Sequence, residues 1–284
     1  MGLKRLLLFL GLACLVAQGF LAGAVSKDES SVVNLMIDME RSPEAAGKTI
    51  AEKENLEMNS TINLANEVDS KNLNVTIFVT GDIASKYYPL YVTLLGSKSN
   101  HELALGGMSR DDAQVSFDEQ DARLRKTKRL VEEDYVCGGY QFKAAGYKPQ
   151  LNSFNQSAYK VMDDIGLMYL VDDTGIPEST GKSWPYLLEN HTFYVVPVSI
   201  SGSVRLWDTS ARDAGMNGTQ WYDILVSRFD ESGTNGEPLV AIFTNTVSGS
   251  GDYLNAYKKF VEYAASKNAT FVMSKQLVEM AKTR

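Results

Sequence analysis

Apolar residues fall in short runs along this chain, separated by longer stretches in which apolar and polar positions mix at helical spacing. The first run, VVNLMIDMERS at residues 32–42, reads as a strand buried on both faces, ending in the carboxylates Asp38 and Glu40 and the turn pair Ser42-Pro43. Further strands are predicted over residues 74–80, 102–105, 140–144, 167–171, 193–200, 239–243 and 270–273. Helical spacing predicts helices over 83–95, 111–133, 156–165, 221–229, 253–267 and 275–282. Residues 60–70 have a partly helical spacing. The polar segment 44–57 reads as a loop with a helical turn, 146–149 as a loop, and 175–190 as a Gly/Pro/Ser loop. No hairpin signal and no linker interrupts the alternation, which predicts one domain with a parallel sheet covered by helices, closed as a barrel or open. A carboxylate at the C-terminal mouth of the first strand stands where an α/β barrel places its chemistry.

The N-terminus changes the picture of where the chain works. Lys4 and Arg5 precede an apolar stretch too short for a comfortable span, and Ala22-Gly23-Ala24 fits a signal-peptidase site. Residues 1–24 are therefore expected to be a signal peptide and 25–284 the mature domain, secreted or attached to the cell surface. A membrane enters only through the N-terminal segment if it stays uncleaved. Losing Lys4 and Arg5 takes the formal net charge from −7 to −9. An acidic chain without a basic block argues against a nucleic-acid partner. Cys14 leaves with the signal, so Cys137 stands alone and no intramolecular disulfide forms. Stability must come from a core, which 44% hydrophobic residues can supply. Six Asn-x-Ser/Thr sequons, at Asn59, Asn74, Asn155, Asn190, Asn217 and Asn268, are candidate glycosylation sites of a surface glycoprotein.

The residues at the strand ends, taken together, resemble the polysaccharide deacetylase (NodB homology) family, carbohydrate esterase family 4. The resemblance implies an irregular (β/α)7-type barrel, a divalent metal, usually zinc, held by an Asp and two His, and a neighbouring Asp as general base for removing acetyl groups from glycans. The first family motif reads like Thr-Phe-Asp-Asp-Gly. Here Met36-Ile37-Asp38-Met39-Glu40 puts Asp38 on the base, Met39 on the metal-binding Asp and Glu40 as a possible substitute carboxylate. The second motif of similar relatives, His-Glu-Leu-Ala-Leu-His-Gly-x-x-His, stands here as His101-Glu102-Leu103-Ala104-Leu105-Gly106-Gly107-Met108-Ser109-Arg110, with Gly106 and Arg110 in place of both metal-binding histidines. The third motif resembles Phe142-Lys143-Ala144-Ala145-Gly146-Tyr147. Lys143 stands for the arginine that orients the base, and Ala145 for the proline. Asp172-Asp173 matches an acidic position, and Thr244 with Asn245 follows where a general-acid histidine would stand.

Zinc needs N, O or S donors at about 2.0–2.3 Å, and glycine, a thioether and a guanidinium are respectively absent, poor and unusable as ligands. The only histidines, His101 before its strand and His191 in a loop, read as ordinary packing or surface residues. Without the metal, water is not activated and the acetyl carbonyl is not polarised. The expectation is a secreted or surface-attached pseudoenzyme without cofactor, its catalytic positions Asp38 (vestigial base), Glu40 and Lys143 inactive, and its partner a polysaccharide or surface glycan. Arg110 is expected to fill the vacated metal space and pair with Asp38 or Glu40. Tyr147, Asp172, Asp173 and Trp207 are expected at the binding groove, with Tyr140, Trp184 and Trp221 as further sugar-stacking candidates. The alternatives are a diverged hydrolase acting on C–N bonds of polysaccharide N-acetyl groups through Asp38, and a structural envelope component. No Gly-x-Ser-x-Gly elbow, P-loop or dinucleotide fingerprint is present.

Overall fold

The computed structural model describes residues 30–41, 48–86, 100–109, 111–132, 142–150, 157–172 and 176–284. Its centre is β1 (Val32–Met39), buried from Val33 to Met39 and paired on both edges. It runs parallel to β10 (Leu239–Thr244) on one edge, and on the other to β11 (Thr270–Phe271) at its start and β2 (Val75–Val79) from Met36 onward. The sheet continues parallel through β3 (His101–Leu105), β4 (Gly146–Tyr147), β5 (Tyr169–Asp172) and β7 (Tyr194–Pro197). The order is thus β10-β1-β2-β3-β4-β5-β7-β6, a curled half-barrel with helices on its outside. It is the predicted irregular (β/α) barrel of parallel strands.

Three expectations are corrected. Of the segment 44–57 read as a loop, residues 50–57 are helical: α1 (Ile50–Ser70) is one helix of 21 residues, and 44–47 lie outside the described residues. A capping box starts it, with Glu52 N donating to Thr49 Oγ1 at 3.3 Å and Thr49 N donating to Glu52 Oε2 at 2.7 Å. Its buried face is mostly small or polar (Glu57, Ser60, Thr61, Ala65), so hydrophobic periodicity does not display it. The hairpin reading also changes. The edge strand β6 (Tyr186–Leu187) pairs antiparallel with β7, and β8 (Ile200–Ser201) with β9 (Val204–Arg205) forms a small separate hairpin. Through Ser199 N to Val240 O (3.0 Å) and Ile242 N to Leu206 O (2.8 Å), the segment around that hairpin fastens to β10.

The third correction matters most. The strand expected at 140–144 is β4, two residues long and further along, at Gly146–Tyr147. It lies in what reads as a loop because it contains a glycine. A Cβ at Gly146 would fall inside the Tyr169 ring, so only glycine lets β4 lie against β5 here.

The remaining helices are α2 (Gly81–Ala84), α3 (Phe117–Glu132), α4 (Ser157–Ile165), α5 (Asp208–Asp213), α6 (Gly218–Asn235), α7 (Asn245–Ser248), α8 (Gly251–Ser266) and α9 (Ser274–Lys282). The short helices α5 and α7 have no counterpart in the expected set, most of the helix expected over 83–95 lies outside the described residues, and the others move by a few residues. The first turn of α9 caps the floor of the half-barrel: Ser274 N donates to Thr76 Oγ1 (2.8 Å) and Lys275 N to Glu102 Oε2 (3.0 Å). Tyr169 OH donates to the other Glu102 oxygen at 3.0 Å. Burial nevertheless outweighs these donors and raises the Glu102 pKa. No helix among the described residues is long and apolar enough to cross a membrane.

Because β4 depends on Gly146, replacing it with alanine should destabilise the domain by about 1–3 kcal/mol, the usual range for overpacking a core. Thermal unfolding checks this. An unchanged midpoint would mean that Tyr169 moves aside freely.

Candidate functional site

Asp38 closes β1 inside the mouth of the half-barrel, fully buried, in register with Thr244 of β10 and Phe78 of β2. Each of its carboxylate oxygens is engaged by a protein group. Lys148 Nζ lies 2.7 Å from Oδ2, and Gln150 Nε2 donates to Oδ1 at 3.0 Å. Lys148 is itself fully buried, because β4 carries it in: Lys148 N donates to Leu105 O at 2.8 Å, extending the β3–β4 pairing by a residue. Its ammonium also donates to Pro149 O (3.2 Å) and sits 4.8 Å from the centre of the Trp207 ring. A buried ammonium thus has a carboxylate, a carbonyl and an aromatic face, which together offset its lost hydration.

The rest of the mouth is tied together in the same way. Trp207 Nε1 donates to Thr244 Oγ1 at 2.9 Å. The buried Asp208 accepts from Thr244 N (2.7 Å) and Ser248 Oγ (2.6 Å), and burial pushes its carboxyl up to about 6. Glu40, 2% exposed, donates its backbone N–H to Asn245 Oδ1 at 3.0 Å, and Asn245 Nδ2 donates to Thr61 Oγ1 at 3.2 Å.

These residues do not fit the family's zinc. Gly106 offers no donor, and the space a side chain would enter is already bounded by the Gln150 amide, 3.2 Å from an ideal Cβ. Met39, next to Asp38, projects from the opposite face of the strand and is buried in the core. No group of three or more His, Cys, Asp or Glu among the described residues could hold a metal ion. His101 is the first residue of β3 rather than preceding it, and its Nε2 lies 2.7 Å from Asp69 Oδ1. His191 Nδ1 lies 2.7 Å from Asp163 Oδ2, packed beside Tyr159 and Phe193.

Of the other residues singled out in the sequence, Arg110, Asp173, Cys137, Tyr140 and Asn155 lie outside the described residues. Lys143 is exposed, and the cation that orients Asp38 is Lys148, five residues on. The signal that could have found it is the aromatic–basic–proline run Tyr147-Lys148-Pro149, which echoes the third motif as well as Phe142-Lys143 does. Tyr147, Trp207 and Trp221 are buried, and Trp221 packs edge-on against Phe243, so none of the three is a surface platform for sugar. Asp172 is buried and accepts the Ile176 N–H on both oxygens, at 3.1 and 3.0 Å. Among the described aromatics proposed for stacking, Trp184 alone stays half-buried.

With that geometry in view, the fold has clear counterparts. A probable polysaccharide deacetylase from Pseudomonas aeruginosa superposes with a TM-score of 0.71 at 14% identity, covering 89% of this chain and 91% of that one. An allantoinase superposes at 0.72 and 14% identity over the same shares. A carbohydrate esterase family 4 (CE4) pseudoenzyme from Bacillus anthracis superposes at 0.56 and 11% identity, covering 88% of this chain and 66% of that one. The chain therefore has the polysaccharide deacetylase fold. No protein-family model and no curated protein sequence matches it.

Two predictions follow from the mouth. Lys148→Met leaves Asp38 ionised and buried without its cation and should cost about 3–5 kcal/mol in chemical denaturation. Adding Asp38→Asn to it should recover most of that loss, whereas a simple volume defect would not be repaired. Asp208 carries a folded-state pKa of about 6 against 3.8 for the free group. The folded state therefore binds the extra proton between these values, and stability falls as pH rises from about 4 to 6, by up to about 3 kcal/mol. Asp208→Asn keeps an acceptor for Thr244 N and Ser248 Oγ and should flatten that window, measured by denaturant midpoints across pH. A slope unchanged in the variant would remove Asp208 as its source.

Proposed function

We propose that this protein is a catalytically silent member of the deacetylase fold that works outside the cell or at its surface and binds polysaccharide. The observation that carries the reading is the Lys148 ammonium on Asp38. Asp38 stands where the resemblance puts the general base, and its charge is balanced by an internal ammonium and an amide rather than by a metal held beside it. A single ammonium supplies charge but no open coordination site, so it neither activates water nor polarises a carbonyl as a metal does. This argument also speaks against a diverged hydrolase working through Asp38 and Glu40. That one protein of similar fold is itself a CE4-family pseudoenzyme supports the reading.

A glycan as ligand follows from the fold's other occupants, two of which are a probable and a putative polysaccharide deacetylase. The extracellular setting rests on the N-terminal pattern around Lys4, Arg5 and Ala22-Gly23-Ala24. It is supported by exposed sequon asparagines at Asn59, Asn190, Asn217 and Asn268. Asn74 is the exception: its Nδ2 donates inward to Phe271 O at 2.9 Å, which disfavours glycan attachment there.

Purified protein should hold far less than one zinc per chain after incubation with the metal, and should release no acetate from N-acetylated chitin oligomers or acetylated xylan. Stoichiometric zinc together with acetate release overturns the silent reading. A glycan array that retains the protein on polysaccharide separates a binding role from a purely structural envelope role.

A further inference from the structure

We infer that the protein carries a binding site for an anionic oligosaccharide, built around Trp184 and Arg284 on the rim where β1, β10 and β11 begin. The inference deepens the proposed glycan-binding role and rests on it, but moves the site away from the ancestral mouth. Val32 at this rim is six residues along β1 from Asp38, about 20 Å at the rise of an extended strand.

A cleft of about 600 Å³ opens there, and hydroxyls line much of it: Ser30, Ser31, Thr234, Thr270 and Thr283. Trp184 forms one wall with the Arg284 guanidinium 3.7 Å from its ring centre. Both are braced by the same acceptor. Trp184 Nε1 donates to Gly236 O at 3.1 Å and Arg284 Nη1 at 3.4 Å. Gly236 can present that carbonyl because it caps α6 in the left-handed region, at φ 66°. The cleft also holds an unspent polar group. Ser232 is 1% exposed and its Oγ has no hydrogen-bond partner among the described residues, a state that calls for an explanation in a buried hydroxyl.

A second cleft of about 460 Å³ adjoins the first, sharing Glu237 with it. Lys182 and Arg205 line this one, with Arg228 beneath them. Arg228 is 7% exposed and is held by both acids, Nη2 donating to Glu237 Oε2 at 2.6 Å and Nη1 lying 3.4 Å from Glu231 Oε2, while its Nε has no hydrogen-bond partner among the described residues. Across both clefts the cations Lys182, Arg205, Arg228 and Arg284 face the acids Glu231 and Glu237, a positive balance on a chain whose net charge is −7.

The chemistry of this surface defines its ligand. A purely apolar molecule would desolvate the guanidiniums, the Ser232 hydroxyl and the oxygens of hydroxyls that donate inward, Thr234 to Asp230 O and Thr283 to Met280 O, without giving any of them a new partner. A small inorganic anion would leave the indole and most of the cleft unused. A sugar chain has hydroxyls for the serines and threonines and apolar ring faces for Trp184. A carboxylate or sulfate on it would meet Arg205 and Lys182, with guanidinium geometry matched to either group.

The test is titration of the full chain with tetragalacturonate, a sulfated heparin tetrasaccharide and neutral maltotetraose, by calorimetry and tryptophan fluorescence. The two anionic probes separate carboxylate from sulfate recognition, and at least one should bind about ten-fold or more tighter than maltotetraose. Trp184→Ala should weaken that binding about ten-fold, and Arg205→Ala, at a half-buried position of β9, should weaken it and reduce its salt dependence, with unchanged thermal unfolding confirming that the fold is intact. Equal affinity for the neutral tetrasaccharide, or full competition by inorganic sulfate alone, overturns the inference. Binding that survives both substitutions overturns this site while leaving the wider glycan-binding reading standing. Failure of every oligosaccharide to bind the wild type overturns both.

Discussion

The ion pair between Lys148 and Asp38 is the constraint around which the mouth of the half-barrel is arranged. Two opposite charges, both fully buried, are tolerable only if each finds its partner at close range and its remaining hydrogen-bonding capacity is filled. The neighbouring sequence meets those terms. Gln150 takes the second Asp38 oxygen, Pro149 supplies a carbonyl, and Trp207 covers the ammonium. Gly106 leaves room for the Gln150 amide, where a larger side chain would press against it. Gly146 admits β4 against Tyr169 and so brings Lys148 to its place. Removing any one of these weakens the reason for the others.

The same arrangement accounts for the chemistry. In a metal-dependent hydrolase of this fold the cation must be divalent, must leave a coordination position open, and must sit beside a base that is free to accept a proton. An internal ammonium meets the electrostatic need of the buried carboxylate and none of the catalytic ones. A charge-balanced mouth can therefore serve the fold without a reaction. On the proposed silent reading, fold and function come apart here, which a fold comparison by itself would not reveal.

The sequence exposed the architecture well and the site only in part, and the reasons are physical. Strands buried on both faces, such as Val32–Met39 and Leu239–Thr244, announce themselves as apolar runs, and their alternation with helices defines a parallel sheet. Two-residue strands do not, and β4 hides behind a glycine whose role is to yield space to Tyr169. Helix α1 hides because its buried face is built from Ser60, Thr61 and Ala65, although the Thr49-x-x-Glu52 capping box was there to be seen. Asp38 was legible from its position at the end of a strand. Lys148 was not, because a lysine that reads as a loop residue gives no sign of being drawn inside until the strand that carries it is known. The motif comparison settled on Lys143, which is exposed.

What the molecule leaves unsatisfied is as informative as what it satisfies. At the mouth, the carboxylates of Asp38 and Asp208, the indole N–H of Trp207 and the ammonium of Lys148 are all engaged with other groups of the protein, so a ligand would have to break existing bonds to reach them, although Gln150 Oε1 is buried there without a hydrogen-bond partner among the described residues. At the opposite rim, the Ser232 hydroxyl and the Arg228 Nε are buried without hydrogen-bond partners among the described residues, beside a half-buried indole and a surplus of cations. A ligand gains most where polar groups are already desolvated and still unpaired, because part of the cost of binding has been met in folding. On that ground the proposed recognition site is the Trp184 rim rather than the mouth that gives the fold its resemblance to deacetylases.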